Sequence, residues 1–364
     1  MADPELALFR AYPAARGKLP RAAFVKAPTP VDALELDRKG FARGRLYVKR
    51  DERSCPAYGG NKPRKLEFVI GDALERGVRT LVTTGGLGTN HGLATTILGR
   101  AVGLKTILVL VHQPVTEAVR ATLLLQAGYG AEQVYGANVP GAAIQTLRVL
   151  VGSLLRSDRP LLVPTGGSSA RGNLGLVSAG LELAEQVRAG ALPEPEQVYV
   201  PVGSGGTLAG LVLGLRLARL RTRALGVLVT DILPPSPASL ARAARRTLAL
   251  LRRADPSVPG LTIVPSDFSL ITSELGPGYG APTPAAREAV ELAAGAGLSL
   301  DVTYAGKCLS AILNRARRQE LGDGPILFWN TYNAVDIASA APHRIGPEQL
   351  PRSIRRVLAR ASAN

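Results

Sequence analysis

Three glycine-rich segments of the chain carry side chains able to do chemistry. In Gly59-Gly60-Asn61-Lys62-Pro63-Arg64-Lys65, two glycines run into a tight turn that delivers a lysine. Asn61 can cap a following helix, and Pro63 suits a first helical turn. Lys62 then stands at the positive end of a helix dipole, which lowers the pKa of its amine. A lysine of lowered pKa is suited to Schiff-base chemistry, and Lys65 lies near the same face three residues on. The other reading of these residues is a solvated basic turn. In Gly203-Ser204-Gly205-Gly206-Thr207, glycines admit a ligand close to backbone N–H groups, and Ser204 and Thr207 add hydroxyls. At a helix N-terminus this is a phosphate cup, although an ordinary turn between strand and helix has the same composition. A dinucleotide fingerprint fits poorly. The glycine spacing matches it only loosely, and Asp231 comes 28 residues after Gly203, where about 20 is expected. In Gly85-Gly86-Leu87-Gly88-Thr89-Asn90-His91, a hydroxyl, an amide and an imidazole precede a helix whose first N–H groups can hold a carboxylate. Asn90 can also serve there as the N-cap.

These segments sit where a particular kind of scaffold would put them. Strand-like apolar runs occur at 46–49, 80–84, 105–111, 133–135, 161–164, 197–202, 224–230, 299–304 and 326–329. Several are continuous Val/Leu/Ile runs, as in parallel strands buried on both faces. Helical patterns of roughly 10–15 residues separate most of them. Leu66, Ile70, Ala73 and Leu74 form one such stripe, closed by Gly77, and another begins after Asn173. The alternation predicts an α/β fold of open parallel sheets with helices on both faces. Ligands of such sheets bind beyond the carboxyl ends of strands, where the glycine-rich loops lie, including Pro164-Thr165-Gly166-Gly167-Ser168-Ser169.

Gly59-Gly60-Asn61-Lys62-x-Arg64-Lys65-Leu66-Glu67 resembles the lysine motif of the D-cysteine desulfhydrase and 1-aminocyclopropane-1-carboxylate deaminase family. These are fold-type II enzymes dependent on pyridoxal 5′-phosphate, relatives of the tryptophan synthase β-subunit. The resemblance is colinear over nearly the whole chain. It takes in Val48-Lys49-Arg50-Asp51-Glu52, Gly85-Gly86, Thr89-Asn90-His91, Gly166-Gly167-Ser168, the 203–210 segment, Gly278-Tyr279-Gly280 with Pro282-Thr283, and Tyr304-x-Gly306-Lys307.

The resemblance implies that Lys62 binds the cofactor covalently and that Lys65 with Gly203, Ser204, Gly205, Gly206 and Thr207 holds its phosphate. It puts Asn90 at the cofactor's 3′-oxygen, Tyr279 and Tyr304 in the active site, and Thr331 near the pyridine nitrogen. Thr89, Asn90, His91 and Tyr332 are implied on the substrate side. It further implies two domains, a larger one of residues 1–64 and 170–364 and a smaller one of 65–169, with the cofactor in the cleft between them. Three positions depart from the family. Thr89 replaces a serine, Ala305 stands where the deaminases carry a glutamate, and Tyr332-Asn333 replaces two glycines. If those two side chains face the cofactor, they reshape the substrate pocket.

Composition narrows the alternatives. The chain has 364 residues, 46% hydrophobic and 20% charged, enough apolar material for about two domains. Aromatic residues make up 4%, which suits helices packed on strands better than a β-sandwich. The net charge of +16 is scattered. Its densest stretches, around Arg242 to Arg246, Arg252-Arg253 and Arg315 to Arg318, lack the interleaved aromatics of a nucleic-acid groove, so no nucleic-acid partner is expected. Two cysteines and no CxxC exclude a disulfide framework and point to the cytoplasm, and three scattered histidines point to no metal. No leader peptide and no membrane-spanning run is evident.

The expected activity is a pyridoxal-phosphate-dependent lyase that eliminates the β-substituent of a D-cysteine-like amino acid, giving a keto acid and ammonia. The alternatives are 1-aminocyclopropane-1-carboxylate deamination, L-serine or threonine dehydration, β-replacement, racemisation and cofactor binding without turnover. A small amino acid is the expected substrate, and a homodimer the expected assembly.

Overall fold

Apolar runs that are covered on both faces become the central strands. The computed structural model describes residues 5–36 and 44–362. Its strands, in chain order, are β1 (Val31–Ala33), β2 (Leu46–Arg50), β3 (Thr80–Gly86), β4 (Lys105–Val111), β5 (Glu132–Ala137), β6 (Pro160–Val163), β7 (Gln197–Val202), β8 (Arg223–Leu228), β9 (Ser269–Ile271) and β10 (Ile326–Asn330). The chain divides into two compact units, Met1–Phe68 with Ser168–Val335, and Val69–Gly167 with Asp336–Asn364.

The larger unit holds a six-stranded sheet of order β1-β2-β10-β7-β8-β9. Its pairings are parallel except that of β1 with β2. Side chains alternate between the faces. Val198, Val200, Val202, Leu327 and Trp329 enter one core, while Tyr199, Ile326 and Phe328 enter the other. The short edge strands β1 and β9 were not anticipated from the sequence, because three residues are too few to show a period.

The smaller unit holds a four-stranded parallel sheet of order β5-β4-β3-β6. Leu108 and Leu110 of β4 face one apolar cluster, and Ile107 and Val109 face another. Residues 336–364, expected in the larger unit, group with this one. The reason is the helix Arg352–Ser362, whose Ile354 and Leu358, one turn apart, pack with Leu87, Leu108 and Leu123.

The 299–304 segment, expected as a strand, is not one. The Asp301 carboxylate accepts the backbone N–H groups of Thr303 (3.0 Å), Tyr304 (2.7 Å) and Ala305 (3.0 Å), and so opens the helix Ala305–Arg317. An aspartate that satisfies orphan N–H groups ends the extended run, whatever its hydrophobicity.

Candidate active site

The lysine segment is held by a buried charge network. Lys62 is the first residue of the helix Lys62–Glu75. Two residues on, the Arg64 guanidinium donates from Nε to Asp51 (3.0 Å), from Nη1 to Glu182 (3.0 Å), and from Nη2 to Asp51, Glu182 and the Thr29 hydroxyl. Lys49 Nζ donates to Glu182 at 2.5 Å and to the Thr29 carbonyl at 2.8 Å, and the Trp329 indole donates to Asp51 at 2.8 Å. All four charged side chains are buried, and two cations face two anions. Arg64 and Lys49, although part of the motif, therefore anchor the segment and do not face a ligand.

The turn before Lys62 is pinned at each residue. The Gly60 N–H donates to the Asp51 carbonyl (2.8 Å), and the Ser54 hydroxyl donates to the Gly60 carbonyl (2.6 Å). Gly60 has φ +84°, and a Cβ there would lie 2.3 Å from the Thr331 carbonyl oxygen. Glycine is required at Gly60 on both counts. Asn61, expected to cap the helix, turns its side chain elsewhere. Its Nδ2 donates to the Thr207 hydroxyl (2.8 Å), and its Oδ1 accepts from Lys62 Nζ (2.9 Å).

Burial lowers the Lys62 amine pKa to about 8, and the Asp301 charge offsets part of that effect. The direction is the one expected, but its main cause is loss of water and not the helix dipole. The Lys65 amine is also held well below its ordinary value, by burial and then by the Lys62 charge.

Lys65 belongs to the cup. Its Nζ donates to the Ser168 hydroxyl (3.2 Å). Ser168 also receives the Gly206 N–H (3.2 Å) and pairs with the Ser204 hydroxyl (2.7 Å). Gly205 has φ +84° and is the N-cap of the helix Gly206–Leu217. The Lys65 amine, two hydroxyls and a helix-end N–H thus converge on one point. That set of donors fits a phosphate, and a side chain at Gly206 would close it, since its Cβ would lie 2.3 Å from Ser168 Oγ. Ser168 lies in a small polar loop that also carries part of the family resemblance, with no role of its own implied by the sequence. Its place in the cup depends on a contact 103 residues away in the chain.

Tyr304 lies beside both features. Its ring is 6.0 Å from Lys62 Nζ, and a Cβ built on Gly203 would touch its edge at 3.4 Å. Its hydroxyl donates to the Tyr279 hydroxyl at 2.9 Å, and the two rings meet edge to face. Burial raises both phenol pKa values, so both stay protonated at neutral pH. Tyr279 is fixed from two sides. Asp231 accepts its backbone N–H (2.9 Å), and Lys307 donates to the carbonyls of Leu275 (2.7 Å) and Gly278 (3.2 Å). Asp301 escaped the sequence reading, because it stands in no recognisable catalytic spacing, and Asp231, weighed there only as a dinucleotide-site acid, instead holds the Tyr279 backbone.

Thr331 and Tyr332 directly follow β10, with their carbonyls against Gly60. Tyr332 is half-buried beside the core that contains Phe328, and burial raises its phenol pKa. Asn333 would reshape the substrate pocket with Tyr332 if it faced the cofactor. Its Oδ1 instead accepts the Gly59 N–H at 2.6 Å.

In the smaller unit, Thr89, Asn90 and His91 stand at the start of the helix Asn90–Ala101. The N-cap is Thr89, whose hydroxyl accepts the Gly92 N–H (3.2 Å), and not Asn90. Its extra methyl fits because Gly85 and Gly92 flank it. A Cβ at either would come within 2.6 Å of the Thr89 side chain. Asn90 is exposed, whereas Thr89 and His91 are buried.

Comparisons with known proteins place the chain in a family. The family model of the pyridoxal-phosphate dependent enzymes matches residues 23–331. The chain belongs to that family, and pyridoxal 5′-phosphate is its cofactor. It is 34% identical to the D-cysteine desulfhydrase of Salmonella typhimurium, over 90% of this chain and 98% of the relative. A solved structure described as an ACC deaminase homologue covers 91% of this chain, with 29% identity and a TM-score of 0.75. A hydrogen sulfide-producing enzyme from Fusobacterium nucleatum shares the fold, with a TM-score of 0.58 at 14% identity over 85% of this chain.

Proposed function

We propose that the chain is a β-eliminating lyase that converts a D-cysteine-like amino acid to a keto acid, ammonia and sulfide. The observation that carries this reading is the half-buried Lys62 amine beside the Tyr304–Tyr279 hydroxyl pair and the Lys65–Ser168–Ser204–Gly206 cup. Pyridoxal 5′-phosphate, when bound, supplies a sink for the electron pair left at the substrate α-carbon.

The protein's own groups do the rest. Lys62 holds the cofactor and, once freed by substrate, takes the α-proton. At pKa about 8, roughly one amine in ten is neutral at pH 7, against about one in three thousand for an ordinary lysine. Lys65, Ser168, Ser204 and the Gly206 N–H hold the phosphate. Tyr304 donates to Tyr279, which leaves the Tyr279 proton available to a departing thiolate. Taken by themselves, Thr89 and the first N–H groups of the helix Asn90–Ala101 are donors suited to a carboxylate. Thr331 is the group we assign to the pyridine nitrogen.

The closing test is a panel of D- and L-amino acids with 1-aminocyclopropane-1-carboxylate. Sulfide and keto acid are expected from D-cysteine. Ring opening is expected to be poor, because Ala305 is buried and the acid of that stretch, Asp301, is engaged by three backbone N–H groups. Turnover of the cyclopropane substrate at rates comparable to D-cysteine would reverse the assignment.

We further propose a homodimer in the cytoplasm. Cys55 and Cys308 are buried free thiols, in keeping with a reducing compartment. Among the described residues, no helix is long and apolar enough to cross a membrane. The helix Val139–Leu155 exposes Ile144, Leu147, Val151 and Leu154, which fall on one face at a spacing of three and four. An exposed apolar row of this kind, bordered by Arg148, can meet its own copy about a two-fold axis. Leu147→Glu should turn the dimer into monomers by light scattering. A wild-type monomer, or a mutant dimer of unchanged affinity, would refute this.

A further inference from the structure

We infer that Asn333 is a positioning residue for Lys62, acting through the backbone of the Gly59–Gly60 turn. Asn333 lies three residues beyond the end of β10, 274 positions from the glycine it contacts. Its Oδ1 accepts two N–H groups, from Gly59 at 2.6 Å and from Val335 at 3.3 Å. The second contact folds the 333–335 backbone onto the side chain, so the amide oxygen is held in place before it reaches Gly59.

The contacts on Gly60, from the Asp51 carbonyl and the Ser54 hydroxyl, come from within ten residues of it, while the next residue, Asn61, reaches Thr207. Asn333 ties Gly59 to the segment after β10, where Thr331 and Tyr332 sit. The fit is tight on both sides. A Cβ on Gly59 would lie 3.3 Å from Asn333 Oδ1 and 2.2 Å from the Glu52 carbonyl, and one on Gly60 would lie 2.3 and 2.9 Å from the carbonyls of Thr331 and Tyr332. Nothing wider can pass between the two strands of chain. A shift at residue 333 moves Gly59, and Lys62 follows three residues later at the start of a helix that Arg64 clamps. Asn333 thus sets where the Lys62 amine stands, without touching substrate or cofactor.

The inference rests on the lyase reading, and its test separates the two. Purified holoenzymes of the wild type, Asn333→Ala and Asn333→Asp are compared. Aspartate keeps an oxygen for the Gly59 N–H, whereas alanine removes it. We expect Asn333→Ala to lose about tenfold to a hundredfold in kcat on D-cysteine with KM within about twofold, the mark of a displaced reacting group. The cofactor absorbance band should also disappear several times faster when hydroxylamine is added. Asn333→Asp should restore most of both. An alanine variant with wild-type kcat and wild-type stripping rate overturns the inference alone. So do equal losses in the alanine and aspartate variants. A wild type without a cofactor band overturns the lyase reading and the inference with it. Hydrogen exchange on the wild-type holoenzyme needs no variant. The Gly59 N–H should be strongly protected, and complete exchange of the 58–61 amides within seconds would also overturn the inference.

Discussion

Lys62→Ala should give a folded protein that no longer fixes the cofactor and shows no turnover, a loss of at least about three orders of magnitude in kcat. Borohydride reduction of the wild type should place the cofactor on the peptide that contains Lys62. The Lys65 amine is engaged by the Ser168 hydroxyl, in the group we propose for the phosphate. It should not substitute for Lys62. The fold should survive, because Lys62 lies outside the buried charge network and donates within the described residues to Asn61. The check is the visible absorbance of wild type and variant, with peptide mapping after reduction. A label on Lys65, or residual turnover above about a hundredth of wild type, would contradict the assignment.

Glu182→Leu should be the most destabilising single change in the larger unit. It removes the anion that faces both Arg64 and Lys49, and leaves three buried charges with a net positive excess. Breaking a buried network in this way costs about 3–5 kcal/mol. Adding Lys49→Met to Glu182→Leu removes the surplus cation and should recover much of the loss, because Arg64 and Asp51 remain paired. Urea midpoints of the wild type, the single and the double variant decide the matter. A single-variant cost below about 1 kcal/mol would mean that the network is not coupled to folding.

The same residue gives the acid dependence. Burial alone would raise the Glu182 pKa, but Arg64 and Lys49 outweigh it and hold the carboxyl at about 2. A carboxyl whose folded pKa is depressed contributes its stability in full above the unfolded value, near 4.5, and loses it as the pH falls toward about 2. The wild type should therefore lose roughly 3 kcal/mol across that window, and the double variant should lose much less. Parallel acid profiles of the two would exclude Glu182 as the source. Because Arg64 shares a helix with Lys62, the acid limit of folding and that of cofactor attachment should coincide.

How far the site could be read from the sequence depends on how local each feature is. The strands at 105–111 and 197–202 were legible to the residue, because buried parallel strands are unbroken apolar runs between turn residues. The Lys62 turn and the 203–207 cup were legible as glycine-rich loops at helix starts, because positive φ and free N–H groups are local demands. The 299–304 run failed as a strand because one side chain, Asp301, satisfies three N–H groups that a strand would have paired elsewhere. The cap fell to Thr89 instead of Asn90 by one residue, a difference that the room offered by Gly85 and Gly92 decides.

The amino-acid sequence by itself determined the alternating α/β scaffold and the family, and it marked the Lys62 turn and the 203–207 loop as glycine-rich helix starts. Each of these is written in neighbouring residues. Only the tertiary structure decided that Ser168 joins Lys65 and Ser204, that Arg64 and Lys49 are buried against Asp51 and Glu182, that the 336–364 segment packs with the smaller unit, and that Asn333 turns to Gly59. Those pairings join residues from tens to hundreds of positions apart. They are selected by which buried polar groups can satisfy one another once the apolar faces have packed, and no short stretch of sequence contains that competition.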